Sequence, residues 1–166
     1  MLAVVCDSSP LVYLSKLNQF QILEQIYDSV LVPPAVWREV AVGGEGLPES
    51  ANLKAAVAQG WVKVETPSPL EAIQLSAELG KGETQAILLA KERGAVLVTD
   101  DGLGRSAAES IGVEVTGTIG VLIKGKRTGR ISAIRPLVDS LRQETNFRMT
   151  DKLYRDALAQ AGEPQS

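Results

Sequence analysis

Five short runs of branched apolar residues punctuate this chain, and segments with helical spacing separate them. The runs are Leu2–Cys6 (LAVVC), Val30–Val32, Trp61–Glu65, Ala95–Val98 and Val113–Val115. Short, bounded and rich in valine, they predict buried strands. Between them, Leu11, Leu14 and Leu17 recur at helical spacing after Asp7, Ser8, Ser9 and Pro10, which supply cap chemistry. Further helices are predicted over Ile22–Ile26, Ala35–Val42, Ala51–Gln59, from the Thr66–Pro69 turn to Glu78, over Glu83–Arg93 and over Leu103–Ser110. After the last strand only helices follow: Ile119–Lys124, Ala133–Gln143 and Asp151–Ala161.

Strands that alternate with helices pair in parallel, because each crossover returns the chain to the same end of the sheet. The expected fold is therefore α/β: a three-layer α/β/α domain with a mostly parallel central sheet, extended by C-terminal helices. The chain has 166 residues, which suits one domain. That domain is expected over residues 1–162, with 163–166 as a flexible tail. No apolar run approaches the ~20 residues that cross a bilayer, and the N-terminus lacks the basic start and long apolar core of a signal peptide.

Ligands gather beyond the carboxyl ends of parallel strands. Asp7 directly follows the first run, and Asp100 and Asp101 follow the run at Ala95–Val98. Glu39 borders the buried side of its helix, and Glu83 opens another in GKGETQAILLA. Each acid has a plain structural alternative. Asp7 suits a helix cap, Asp100-Asp101-Gly102 suits a turn, Glu39 suits a surface position, and Glu83 suits the positive end of a helix dipole. Together they place five carboxylates where one rim could collect them.

The chain has no histidine and one cysteine, Cys6, inside an apolar run. That excludes serine–histidine and cysteine–histidine nucleophiles, an internal disulfide, and the usual zinc sites. A reducing, cytoplasmic compartment fits. Clustered carboxylates repel one another unless a cation lies among them. Hard oxygen ligands without nitrogen or sulfur select Mg²⁺ or Mn²⁺. The net charge is −3, yet no acid lies between Glu114 and Asp139, where Lys124, Lys126, Arg127, Arg130 and Arg135 fall. Arg142, Arg148, Lys152 and Arg155 follow. This stretch is either a solvated helical face or a rim that contacts phosphates, with Lys126, Arg127 and Arg130 as candidates.

Four segments, VVCDSSPLVYL, VPPAVWREV, GKGETQAILLAKERGAVLVTDD and GLGRSAAESIGVEVTGTIGVL, resemble in order and spacing the PIN-domain nucleases, which include toxins of toxin–antitoxin pairs. The resemblance covers nearly the whole chain and is nearest to a branch with GE before the central helix, DD at a strand end and GT-x-G afterwards. It implies a metal-dependent endoribonuclease acting on single-stranded RNA, a homodimer, and an antitoxin partner that blocks the rim. It implies Asp7, Glu39, Glu83 and Asp101 as metal ligands, Ser8 as a supporting hydroxyl, and Thr99 as the threonine of a T-x-D pattern. Asp100 is an extra acid that replaces or assists Asp101, and Arg105 steers a phosphate or pairs with the acids. Many members have aspartate at the position of Glu83, and the toxins usually lack the C-terminal helices. A non-catalytic RNA-binding module is the alternative expectation. A small-molecule phosphotransferase is a third, weakened because Ser9 stands where a second acid is needed.

Overall fold

The computed structural model describes residues 2–68 and 78–165. Its sheet has five parallel strands, β1 (Ala3–Cys6), β2 (Ser29–Val32), β3 (Val62–Val64), β4 (Val96–Val98) and β5 (Val115–Thr116), in the order β3-β2-β1-β4-β5. The chain steps outward from β1 on one side as β2 and β3, then crosses to the other side as β4 and β5. β1 and β4 therefore flank the point where the winding reverses, and a crevice opens at such a point beyond the strand ends.

Alternation along the strands splits the core. Val4, Cys6, Val30, Val32 and Val98 face the larger cluster, while Val5, Leu31 and Leu97 face the smaller one. The larger layer holds α1 (Ser8–Lys16), α2 (Ile22–Ile26), α4 (Pro48–Gln59), α7 (Thr118–Arg127), α8 (Arg135–Glu144) and α9 (Asp151–Gln160), through Leu11, Leu23, Leu53, Leu122, Leu141 and Leu158. The smaller holds α5 (Lys81–Arg93) and α6 (Gly102–Ser110), through Ile87, Leu89 and Ala108. The expected three layers and C-terminal helices are present. Cys6 is fully buried, and burial pushes its thiol up to about 12, so it is an inert core residue. No helix among the described residues is long and apolar enough to cross a membrane.

Three elements differ from the sequence reading. The helix expected over Ala35–Val42 is α3 (Pro34–Trp37) running into a π-helical turn, Arg38–Val42. There the Gly43 amide donates to the Arg38 carbonyl at 2.7 Å. The strand expected at Val113–Val115 begins later. Gly112, at φ +82°, turns the chain out of α6, and the Val113 amide still bonds the Ala108 carbonyl. Only Val115 and Thr116 pair with β4. The tail expected after Gly162 is held at its start. The Glu163 carboxylate accepts from the Ile134 and Arg135 amides at 2.7 and 3.1 Å and caps α8, whose Ile134 has no capping side chain of its own. The helix expected between the Thr66–Pro69 turn and Glu78 lies outside the described residues.

Candidate functional site

Asp7, Glu39, Glu83, Asp100 and Asp101 all line one pocket of about 400 Å³ at the carboxyl ends of β1 and β4. Each arrives by a local device. Asp7 ends β1 and caps α1, accepting from the Ser8 amide at 2.9 Å. Its second oxygen accepts from the Thr99 hydroxyl at 2.9 Å. Asp101 caps α6, accepting from the Gly104 amide at 2.6 Å. Its own amide donates to the Thr99 hydroxyl at 3.2 Å. Thr99 is buried beneath the pocket, so it sets the spacing of Asp7 and Asp101 instead of meeting substrate.

Glu83 stands in the first turn of α5, and Glu39 on the π-helical turn. These two segments approach closely because Gly82 has no side chain. A Cβ there would lie 3.2 Å from Glu39 Oε2 and 3.4 Å from Val36 Cγ2. Glu39 Oε2 accepts from the Ser8 hydroxyl at 2.5 Å.

Asp100 is held differently. Its two oxygens accept from the Thr118 amide at 2.8 Å and the Thr118 hydroxyl at 2.6 Å. It thereby supplies the cap that Gly117, at the head of α7, lacks. A Cβ on Gly117 would stand 2.7 Å from Asp100 Oδ1, and one on Gly120 would stand 2.1 Å from Thr116 Oγ1. This gives the GT-x-G segment a physical reason. Its glycines admit close neighbours and its threonine binds Asp100. Asp101, with one oxygen clear of backbone capping, is the better placed of the pair to bind something in the pocket.

The electrostatics match crowding. Burial raises Asp7 above the usual carboxylate range, and the charges of Glu39 and Asp101 push the same way, against the Ser8 amide and the Thr99 hydroxyl. Glu83 is raised by burial, by the charges of Asp101 and Asp7, and by a hydrogen bond with Asp101. Asp100 is raised by burial, opposed by Thr118 and by the nearby Arg105. Carboxylates crowded in this way are relieved by a proton or a cation among them. The donors are all oxygen, which fits Mg²⁺ or Mn²⁺. As the side chains stand, no three acidic groups among the described residues are spaced as ligands of one ion. Glu39 is exposed and Glu83 half-buried.

The basic candidates do not join this pocket. Lys126, Arg127 and Arg130 lie in and beyond the last turn of α7, a helix that starts at the rim beside Asp100 and runs away from it. A helix leaving the carboxyl end of a parallel strand returns to the opposite end of the sheet. Lys126 pairs there with Glu163 at 2.9 Å, and Arg127 donates to the Gln160 carbonyl at 3.2 Å. Arg105 lines a neighbouring groove. The pocket instead takes Lys81 from α5 and Tyr13 from α1, together with Asn146, Phe147 and Arg148 from the segment between α8 and α9. Arg148 stood in the sequence as one more basic residue. The signal that distinguishes it is the aromatic–arginine pair in TNFRMT, between two helical segments.

Residues 3–163 match the family model DUF3368, described as a PIN domain. A search of curated proteins finds no match. Among solved structures, a PilT N-terminus domain protein from Sulfolobus solfataricus is 21% identical, with a TM-score of 0.49 over 74% of this chain and 91% of that one. A domain of a functionally unknown protein from Methanocaldococcus jannaschii is also 21% identical, with a TM-score of 0.48 over 70% of this chain and 91% of that one. VapBC2 from Rickettsia felis, solved bound to a DNA fragment from its promoter, is 15% identical, with a TM-score of 0.48 over 70% of this chain and 98% of that one. Since the family model spans nearly the whole sequence, the chain belongs to the PIN-domain family.

Proposed function

We propose that this protein is an endoribonuclease that hydrolyses phosphodiesters of single-stranded RNA with Mg²⁺ or Mn²⁺, the ion being held by Asp7, Glu39, Glu83 and Asp101. The observation that carries this reading is the convergence of five carboxylates from separate elements on one open pocket, three of them pushed above their ordinary range. A bound divalent ion supplies Lewis acidity toward the phosphate and makes water a better nucleophile. Thr99 fixes Asp7 and Asp101 relative to each other, Ser8 orients Glu39, and Thr118 holds Asp100 at the pocket edge. The same proposal extends to a toxin role, a homodimer and an antitoxin that covers this pocket in the cytoplasm, a reading that membership of the PIN-domain family supports.

The second reading is a non-catalytic RNA-binding module, favoured by the absence of a ready-made three-ligand geometry among the described residues. The two separate on one experiment. Purified wild type, Asp7→Asn and Asp101→Asn are incubated with a mixed-sequence single-stranded RNA in Mn²⁺ or in EDTA, and Mn²⁺ binding is titrated calorimetrically. The expected result is Mn²⁺-dependent cleavage that falls about 10²-fold or more in each variant, as when preorganised charge stabilisation is removed. Wild type that binds RNA but never cuts it, free of any co-purified protein, selects the second reading.

A further inference from the structure

A second groove of about 420 Å³ adjoins the carboxylate pocket, and Asp100, Phe147 and Arg148 line both. It runs between α7 and α9. Ile119 and Ile123 come from the first helix, Leu153 and Ala157 from the second, and Arg105 lines it from α6. Leu153 is 41% exposed, an apolar side chain left open to solvent in this groove.

The segment between α8 and α9 that carries Arg148 is fixed in place. The Thr145 hydroxyl donates to the Leu141 carbonyl at 2.6 Å and accepts from the Phe147 amide at 3.1 Å. The Tyr13 hydroxyl donates to Asn146 at 2.8 Å, and the Tyr13 and Phe147 rings meet edge to face at 5.0 Å. Arg148 itself makes no hydrogen bond or ion pair among the described residues, although five carboxylates line the pocket it borders. Arg148 is exposed at the pocket edge on this fixed segment, and its guanidinium, without a protein partner, is open to a phosphate, which it binds through paired donors. Apolar side chains beside it offer a surface for the face of a base.

We infer that Arg148 binds the phosphate next to the one being cut, and that the groove between α7 and α9 receives the adjoining nucleotide of a single-stranded RNA. This rests on the ribonuclease reading for the direction of the strand, which leaves the carboxylate pocket across Arg148. The C-terminal helices are then part of the substrate site. Arg148 is a substrate-binding residue.

The test measures fluorescence anisotropy of an end-labelled single-stranded RNA in EDTA, where no cutting occurs, at several salt concentrations. Wild type is compared with Arg148→Gln, Leu153→Glu and, as a control at the far end of α7, Arg130→Gln. Arg148→Gln is expected to weaken binding about tenfold, the scale of one charge-assisted hydrogen bond. It is also expected to lower the log–log salt slope by about 0.7, one phosphate on a single strand. Leu153→Glu weakens binding without matching wild type at any salt, and Arg130→Gln changes nothing. Unchanged binding in both Arg148→Gln and Leu153→Glu overturns the inference, as does an equal effect of Arg130→Gln, which would mean diffuse attraction. Wild type that binds no RNA in EDTA overturns the inference, and wild type that also neither binds nor cuts RNA in Mn²⁺ overturns the ribonuclease reading with it. Wild type that binds RNA through Arg148 yet fails to cut it in Mn²⁺ keeps the RNA contact at Arg148 and the groove, and removes the catalytic reading with the position of that contact relative to a cut phosphate.

Discussion

The two neighbouring aspartates do different work, and alanine at each separates them. Asp100→Ala removes both acceptors of Thr118, whose amide and hydroxyl stand 2.8 and 2.6 Å away. Thr118 is fully buried, so no water replaces them. An orphaned buried donor costs about 1–3 kcal/mol, and loss of a helix cap about 1 kcal/mol. Removing a half-buried carboxylate gives part of this back, since burial already disfavours its charge. A net loss of roughly 2–4 kcal/mol lowers the melting temperature of a domain this size by about 4–16 °C. Asp101→Ala loses the bond from the Gly104 amide but relieves the crowding with Glu83 and Asp7. Those terms nearly cancel, within about 1 kcal/mol. The assay is thermal unfolding in EDTA, repeated with Mn²⁺. In EDTA, Asp100→Ala should melt well below wild type and Asp101→Ala close to it. Mn²⁺ should raise the melting point of wild type and Asp100→Ala but not of Asp101→Ala, because only a native state that binds the ion is stabilised. An Asp101→Ala protein that melts as low as Asp100→Ala, or that still responds to Mn²⁺, would refute the assignment.

Two further outcomes follow from the charges. Asp7, Glu83 and Asp100 are all raised, first by burial, so each contributes stability below its unfolded value that is lost as pH rises through its folded one. In EDTA the melting temperature should therefore climb as pH falls from neutral toward the ordinary carboxylate range near about 4, and Mn²⁺ should abolish the climb. A flat profile in EDTA refutes this. Glu163 is the opposite case. Its burial raises it, but the Ile134 and Arg135 amides and the Lys126 ammonium outweigh that and lower it, so its contribution persists until pH falls through the lowered value. Glu163→Gln should cost about 1–3 kcal/mol in urea unfolding and leave RNA cleavage unchanged, and a variant as stable as wild type would return this residue to a frayed tail.

Much of this was legible in the sequence, because strands and the acids that end them are local signals. LAVVC followed by Asp7, and AVLV followed by Thr99, Asp100 and Asp101, fix both the strand and the side of the sheet on which the acid emerges. The rest depends on tertiary facts. The π-helical turn that carries Glu39 reads as ordinary helix, since one extra residue in a turn leaves no compositional mark. The sequence shows the charge of the basic residues of α7, whereas the direction of a crossover helix decides which end of the sheet they reach. Glu163 looked like tail because its bonds go to amides about 28 residues earlier, a distance no local pattern reports. Arg148 borders the pocket on a segment that Asn146 and Phe147 dock on Tyr13, a contact between the first helix and the last loop.

In the sequence, capping and ligand roles read as alternatives for these acids, but a carboxylate that caps a helix at this rim keeps its charge there, so the two roles are compatible. Asp7 caps α1, Asp101 caps α6, Asp100 caps α7, and Glu83 sits in the first turn of α5. Four helix N-termini thus point at one crevice, because every helix that follows a strand in a parallel sheet starts on the same rim. Their exposed amides and dipoles favour negative charge by some tenths to about 1 kcal/mol each. That stabilisation offsets part of the mutual repulsion, and it lets a metal-free chain keep its carboxylates together. Glu39 lies past the first turn of its helical segment and lacks this help, and the Ser8 hydroxyl donates to it instead. Asparagine is as good a cap as aspartate but carries no charge. Asparagine at Asp7 or Asp101 should therefore preserve the helix starts while removing the attraction for a cation, so both variants should melt near wild type in EDTA and lose the response to Mn²⁺, and an Asp7→Asn protein that still responds to Mn²⁺ would remove Asp7 from the ligand set.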